Sequence, residues 1–360
     1  MTKTTDLTVP GLVLLGLAAG ALARGSASHA SAAVKPLIRL PAAGDVTAKT
    51  SASIPAARDR AAKTLARLPA TRAAVAAPAA AVQQIDPGAA VRAARRLNRA
   101  AGVIATSVLA DSAVEHYRGS FHNKAMFAPL VTASLSLAAS AHGHTDRRPS
   151  PHRVRDTIYA AAGLTGLVGT GFHLFNITKK PGGVSWQNLF YSAPIGAPAA
   201  LILSGAMGFL AERVRDTTPG VSPTIAGLSA GRAVAAATSI GLLGTVGEAG
   251  LLHFRGAYHD PFMFLPVSIP PITAAVLGNA AVGKIGRPRR ATRIWLRLTA
   301  VMGYAGAGFH AMGVARNMGG WRNWSQNLLN GPPIPAPPSF TGLALAGLAA
   351  LGLMEDHPDD

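Results

Sequence analysis

An all-α integral membrane fold follows from three properties of the chain. Apolar residues fill 49% of its 360 positions and charged residues only 14%, against about 25% charged in soluble domains. The charges are segregated, with long stretches almost empty of them and short stretches crowded with arginine. The third property is a polar motif that occurs twice. His116 to Leu130 reads HYRGSFHNKAMFAPL and His253 to Val267 reads HFRGAYHDPFMFLPV, with seven of fifteen positions identical. Both copies end a long apolar run.

The first segment, 1–25, holds a lysine and then the apolar stretch Gly11–Ala23. It reads either as a secretory signal with small residues at Ser26–Ala33 or as an additional short span. Residues 26–98 are rich in Ala, Pro and Arg and read as a tether without a packed core. Membrane repeat 1 covers 99–215, a linker 216–231, repeat 2 covers 232–354, and an acidic tail 355–360. The apolar runs are Ala100–Tyr117, Ala125–Ala141, Thr157–Ile177, Leu189–Ala211, Ala233–His253, Phe262–Val282, Ile294–Val314 and Pro335–Met354. Each approaches the ~20 residues that cross ~30 Å of hydrocarbon as a helix. None alternates over about ten residues as a barrel strand does. The expectation is eight transmembrane helices in two four-helix repeats.

The second parts of the halves also correspond. Gly171-Phe172-His173 matches Gly308-Phe309-His310, and Gly182-Gly183 matches Gly319-Gly320. Trp186, Asn188 and Pro194 match Trp324, Asn327 and Pro333, after one inserted residue before Trp324 and another before Asn327. An even number of spans per repeat gives both halves the same orientation, related by an axis along the membrane normal. Spans one and three of each half then deliver their polar ends to one face. The loops on the opposite side carry 17 Lys/Arg against 7 on the motif side, so the motif side faces outward in a bacterial inner membrane. The same rule accounts for the net charge of +18 and argues against nucleic acid as a partner. The absence of cysteine excludes disulfides, thiolate metal sites and covalently attached c-type haem.

Asp111 and Glu248 occupy matching positions inside apolar runs. A carboxylate there costs about 2.5–3.5 kcal/mol on insertion scales and points to proton handling or to a buried hydrogen bond. His116, His253, His173 and His310 offer imidazoles suited to haem iron or to hydrogen-bonding a quinone. His122 and His259 are weaker candidates for a metal ion. Arg118 and Arg255 suit an anionic group. Trp186, Asn188, Trp324 and Asn327 suit the wall of a headgroup pocket or an interfacial anchor. The competing reading is that His and Arg at helix ends bond the open carbonyls there. His142, His144 and His152 have no repeat partner and read as solvated.

The stretches HYRGSFHNKAMFAPL, GFH and GGWRNWSQNLLNGPPIPAPPSF resemble a family of bacterial polytopic membrane proteins carrying a duplicated H-x-R-G-x-x-H motif. The resemblance spans Arg99 to Met354 and implies the membrane architecture but no particular reaction. Two four-helix bundles with Ser185-Trp186 and Pro194 before a helix are also similar to polysulfide-reductase-type quinone-reactive membrane subunits, which implies fold alone. The reading that results is an inner-membrane subunit of a redox system. It would hold quinone or b-type haem near the outer face, with the lipid bilayer and a peripheral oxidoreductase as partners. A proton-coupled transporter or channel, or a structural membrane anchor for a soluble partner, accommodates the same residues.

Overall fold

The computed structural model describes residues 88–218, 221–283 and 289–356. The expected N-terminal signal or span and the tether as far as residue 87 lie outside the described residues. The helices are α1 (Ala89–Arg118), α2 (Ala128–Thr145), α3 (Arg153–Thr178), α4 (Trp186–Tyr191), α5 (Gly196–Arg215), α6 (Ala230–Arg255), α7 (Leu265–Val282), α8 (Arg290–Arg316), α9 (Trp324–Asn330) and α10 (Pro338–Asp356). One-turn 3-10 segments, Lys124–Phe127 and Pro261–Phe264, precede α2 and α7, and a third, Gly320–Asn323, precedes α9. In the linker, Thr224–Ile225 (β1) pairs antiparallel with Leu228–Ser229 (β2). Ala226 and Gly227 turn between them at φ 52° and 80°, as a two-residue hairpin turn requires.

Six segments are long and apolar enough to cross a membrane: Lys124–Thr145, Arg153–Thr178, Gly196–Arg215, Ala230–Arg255, Pro261–Val282 and Pro338–Asp356. Five of them bury only 17–44% of their apolar window, whereas α10 buries 78%. Five helices therefore turn most of their apolar surface outward, which hydrocarbon tolerates and water does not. The chain is a helical multi-pass membrane protein. α1 and α8 are as long, but arginines in their first turns lower their apolarity, as do Asp111 and Glu115 in α1.

Two expected boundaries differ. The tether does not extend to residue 98, because α1 begins at Ala89. Ala89, Ala93, Ala94 and Leu97 are buried while Arg92, Arg96 and Arg99 are exposed. The arginines that read as loop form the wet face of an amphipathic helix start. The run Leu189–Ala211 is not one span either. It breaks at Ser192–Ile195 into short α4 and long α5, where Pro194 removes a backbone donor. Pro332, Pro333 and Pro335 separate α9 from α10 in the same way.

Packing centres on α10, which lies against α1, α6 and α8, while α1 also packs on α2 and α5. Small residues set these distances, since apolar burial gives helices no preference over lipid and close contact must hold them. A Cβ at Gly166 would come within 2.6 Å of the Pro198 carbonyl. At the matching Gly303, one would meet the Pro337 carbonyl at 2.9 Å. Between the halves, Ile104 packs on Gly342 and Leu203 on Gly241.

The basic end of the first half contains a buried ionic network that the motif comparison missed. Arg155 grips Glu212 through two bonds of 2.9 Å and Asp146 through a third of 2.9 Å. Arg215 donates to the carbonyls of Gly143, Asp146 and Arg148. Tyr159 donates to Asn98 at 2.6 Å and lies 3.2 Å from the Ser140 hydroxyl. Arg155, Glu212 and Arg215 are 0–1% exposed. Arg155 and Arg215, counted above among loop charges, are thus interior residues, and the charge imbalance survives their removal. The three unrepeated histidines are not simply solvated: His144 Nδ1 meets the Arg95 carbonyl, His142 Nδ1 lies 3.4 Å from the Arg155 guanidinium, and the His152 ring packs edge-on against His142 at 5.1 Å while its backbone N–H donates to Glu212.

Among the described residues, the second half has no counterpart of the Arg155–Glu212 cluster. Counted from the repeated His and Pro, the positions of Asn98, Tyr159, Glu212 and Arg215 become Ala235, Leu296, Leu351 and Met354. All four are 0–2% exposed. Gly208 faces the Tyr159 ring just as Gly347 faces Leu296, so the space is filled by charge in one half and by hydrocarbon in the other. Asp146 lies outside the spans. Burial alone would raise its pKa, but the Arg148 N–H and the Arg155 and Arg148 guanidinium groups outweigh that and hold the carboxyl well below the usual range.

Glu212→Ala leaves Arg155 buried without its main partner and is expected to cost about 3–5 kcal/mol. Thermal unfolding in detergent reads this as a large fall in Tm. Because its folded pKa is depressed, Asp146 contributes stability that is present above the unfolded value of about 3.9 and lost as pH falls below it. The Tm gap between the native chain and Asp146→Asn is therefore expected to be constant at pH 5–7 and to close below about pH 4.

Candidate functional site

The site assembles where α1, α3, α6 and α8 end. After His116 the chain takes two consecutive left-handed residues, Ser120 and Phe121, at φ 56° and 43°. Ala257 and Tyr258 repeat this at 53° and 47°. Left-handed backbone at non-glycine residues is costly and persists where surroundings enforce it. Two contacts enforce it here. Phe121 stacks on Phe127 at 4.4 Å and Tyr258 on Phe264 at 4.6 Å. The Phe121 N–H returns to the His116 carbonyl at 3.0 Å and the Tyr258 N–H to that of His253 at 3.1 Å. Asn123 and Asp260 then cap the 3-10 turns through side-chain oxygens.

The repeated histidines share one bonding mode. His116 Nδ1 lies 2.6 Å from the Met126 carbonyl and His253 Nδ1 2.7 Å from that of Met263. His173 Nδ1 lies 2.7 Å from the Pro194 carbonyl and His310 Nδ1 2.7 Å from that of Pro333. A carbonyl only accepts, so Nδ1 carries the hydrogen and the neutral ring keeps its lone pair on Nε2. The helix-end reading and the ligand reading are therefore compatible, because each uses a different nitrogen. His253 and His310 have ring centres 6.3 Å apart, and His116 lies within electrostatic reach of His173.

The other expected residues divide. His122 and His259 are exposed, with Nδ1 on their own turn at the Gly119 and Gly256 carbonyls, 3.0 and 2.9 Å away. Among the described residues, no three His, Cys, Asp or Glu gather as a metal site. Asn188 donates to the Pro181 and Gly183 carbonyls, and Asn327 to those of Met318 and Gly320. Both amide protons of each close the Gly-Gly loop, leaving only the side-chain oxygen for a ligand. Trp186 and Trp324 are 57% and 60% exposed, as interfacial anchors are.

Arg118 pairs with Glu115 at 2.9 Å, a carboxylate that has no counterpart in the second half. Arg255 instead crosses to the first half. It approaches the Leu189 and Ser192 carbonyls at 3.4 and 3.3 Å and lies 5.4 Å over the Phe190 ring, while its Nε is buried without a hydrogen-bond partner. Phe254 meets the same Phe190 edge-on at 5.8 Å. Asp111 is within electrostatic reach of Glu115, Glu248 and Arg118. Glu248 packs against the start of α5, where a Cβ on Gly196 would come within 2.6 Å of its Cγ. Its Oε1 is buried without a hydrogen-bond partner.

The sequence offered helix-end carbonyls as the competing partners of these histidines, and Nδ1 of each repeated histidine lies on a backbone carbonyl. Comparison with family models, with curated proteins and with solved structures found no match to this chain.

Asn188→Ala and Asn327→Ala each strand two loop carbonyls, at a cost of about 1–3 kcal/mol. Hydrogen exchange is expected to quicken locally, at Gly182-Gly183 or Gly319-Gly320, with little change at the ends of α1 and α6.

Proposed function

We propose that the chain is an inner-membrane subunit of a bacterial redox system, holding a quinone or a b-type haem near the outer face. In this reading α1, α2, α3 and α5 form one repeat and α6, α7, α8 and α10 the other, eight spans in all, standing in the same orientation. The duplicated motif, the matched glycine contacts and the reciprocal packing of Ile104 on Gly342 and Leu203 on Gly241 favour it. The single observation that carries the functional part is the set of four histidines with Nδ1 bound to carbonyls and Nε2 left to accept or to ligate. Asp111 and Glu248 supply groups that take and release protons beside them. Arg255 supplies a guanidinium with an unsatisfied N–H toward an anionic substituent. A peripheral oxidoreductase would exchange electrons at this rim.

One observation favours a second reading, a proton-coupled transporter. Glu248 lies at a helix junction inside the bundle with an unpartnered oxygen, as coupling carboxylates do.

The test is mild extraction of the full chain, followed by quinone analysis and an absorption spectrum. Retained quinone, or a Soret band, is the expected result. Asp111→Asn with Glu248→Gln is then expected to lower electron transfer with a membrane-soluble quinol at least tenfold and to leave binding intact. Proton-driven uptake into vesicles that those substitutions abolish, with neither cofactor retained, would reverse the order of the two readings.

A further inference from the structure

We infer that His253 and His310 are the two axial ligands of one porphyrin iron. The inference rests on the redox reading above and selects between its two cofactors. Two imidazoles that share one transition metal at about 2 Å per bond have ring centres about 6 Å apart. The observed separation is 6.3 Å, with the planes crossing at 67°, and two imidazoles on one iron need not be coplanar. Both rings are fixed by Nδ1 on a carbonyl, the outer bond that orients a metal-binding histidine and presents Nε2.

The number of donors narrows the kind of metal centre. Among the described residues no third His, Cys, Asp or Glu joins the pair. A bare zinc or copper(II) ion takes three or four protein ligands. A porphyrin brings four nitrogens of its own and needs only two from the protein. Two further features suit that cofactor. Arg255, two residues beyond His253, keeps a buried Nε–H without a partner, a donor that a propionate would satisfy. Phe254 and Phe309, next in the chain to the two histidines, are 55% and 37% exposed, which is apolar surface for a flat macrocycle beside lipid.

The experiment titrates Fe(III) protoporphyrin IX into the full chain in detergent and records absorption and electron paramagnetic resonance. A six-coordinate, low-spin spectrum at one porphyrin per chain is expected to depend on His253 and His310. His253→Asn and His310→Asn keep an N–H donor for the Met263 and Pro333 carbonyls, so the loops stay closed while the iron ligand is lost. Each is expected to convert the spectrum to high-spin or to weaken binding at least tenfold, with added imidazole restoring the low-spin form. His122→Asn serves as a control and leaves the spectrum unchanged. A low-spin spectrum that survives both variants, or tight binding of Zn(II) or Cu(I) in place of porphyrin, overturns the assignment. Retained quinone with no porphyrin binding overturns it and leaves the redox reading standing, whereas retention of neither cofactor removes both.

Discussion

The constraint behind this molecule is that hydrocarbon offers no partner to a backbone carbonyl. Wherever a helix ends or a proline interrupts the chain, an acceptor is exposed that something must satisfy. Here the imidazole of a repeated histidine does so in four places, at Met126, Pro194, Met263 and Pro333. One bond thereby closes the loop, fixes the ring and leaves the lone pair on Nε2.

The two ends of the bundle solve the burial of polar groups differently. At the motif end, the repeated histidines and asparagines bond to backbone, and that pattern is shared by both halves. At the basic end of the first half, Arg155, Glu212, Asp146 and Arg215 bond chiefly to each other and to loop carbonyls. The second half fills the equivalent space with Ala235, Leu296, Leu351 and Met354. Such a swap between an ionic cluster and apolar groups of similar bulk is thermodynamically permitted, since a satisfied buried ion pair and good hydrocarbon packing are close in free energy. What is not permitted is half of the cluster. This explains why the charged residues are present together in one half and absent together from the other.

The halves also diverge at the rim. Glu115 neutralises Arg118 locally, whereas Leu252 stands at its counterpart position and leaves Arg255 to reach across to α4. Duplicated residues therefore need not do duplicated work. The second-half cluster has the bridging arginine, the unpartnered Glu248 oxygen and the close histidine pair.

Sequence alone determined that the chain is helical and membrane-spanning, since apolar run length and charge segregation answer directly to bilayer thickness and solvation. It also marked the repeated residues, because duplication singles out positions without reference to geometry. It misjudged the start of α1 and the continuity of α5, where an amphipathic turn resembles a loop and a proline break hides inside an apolar run. The packed helices put Arg155 and Arg215 in the interior, let Asn188 and Asn327 close their own loops, and bring His253 beside His310. Those outcomes depend on which side chains converge from helices far apart in the chain, and neither spacing nor composition encodes a distance across a bundle.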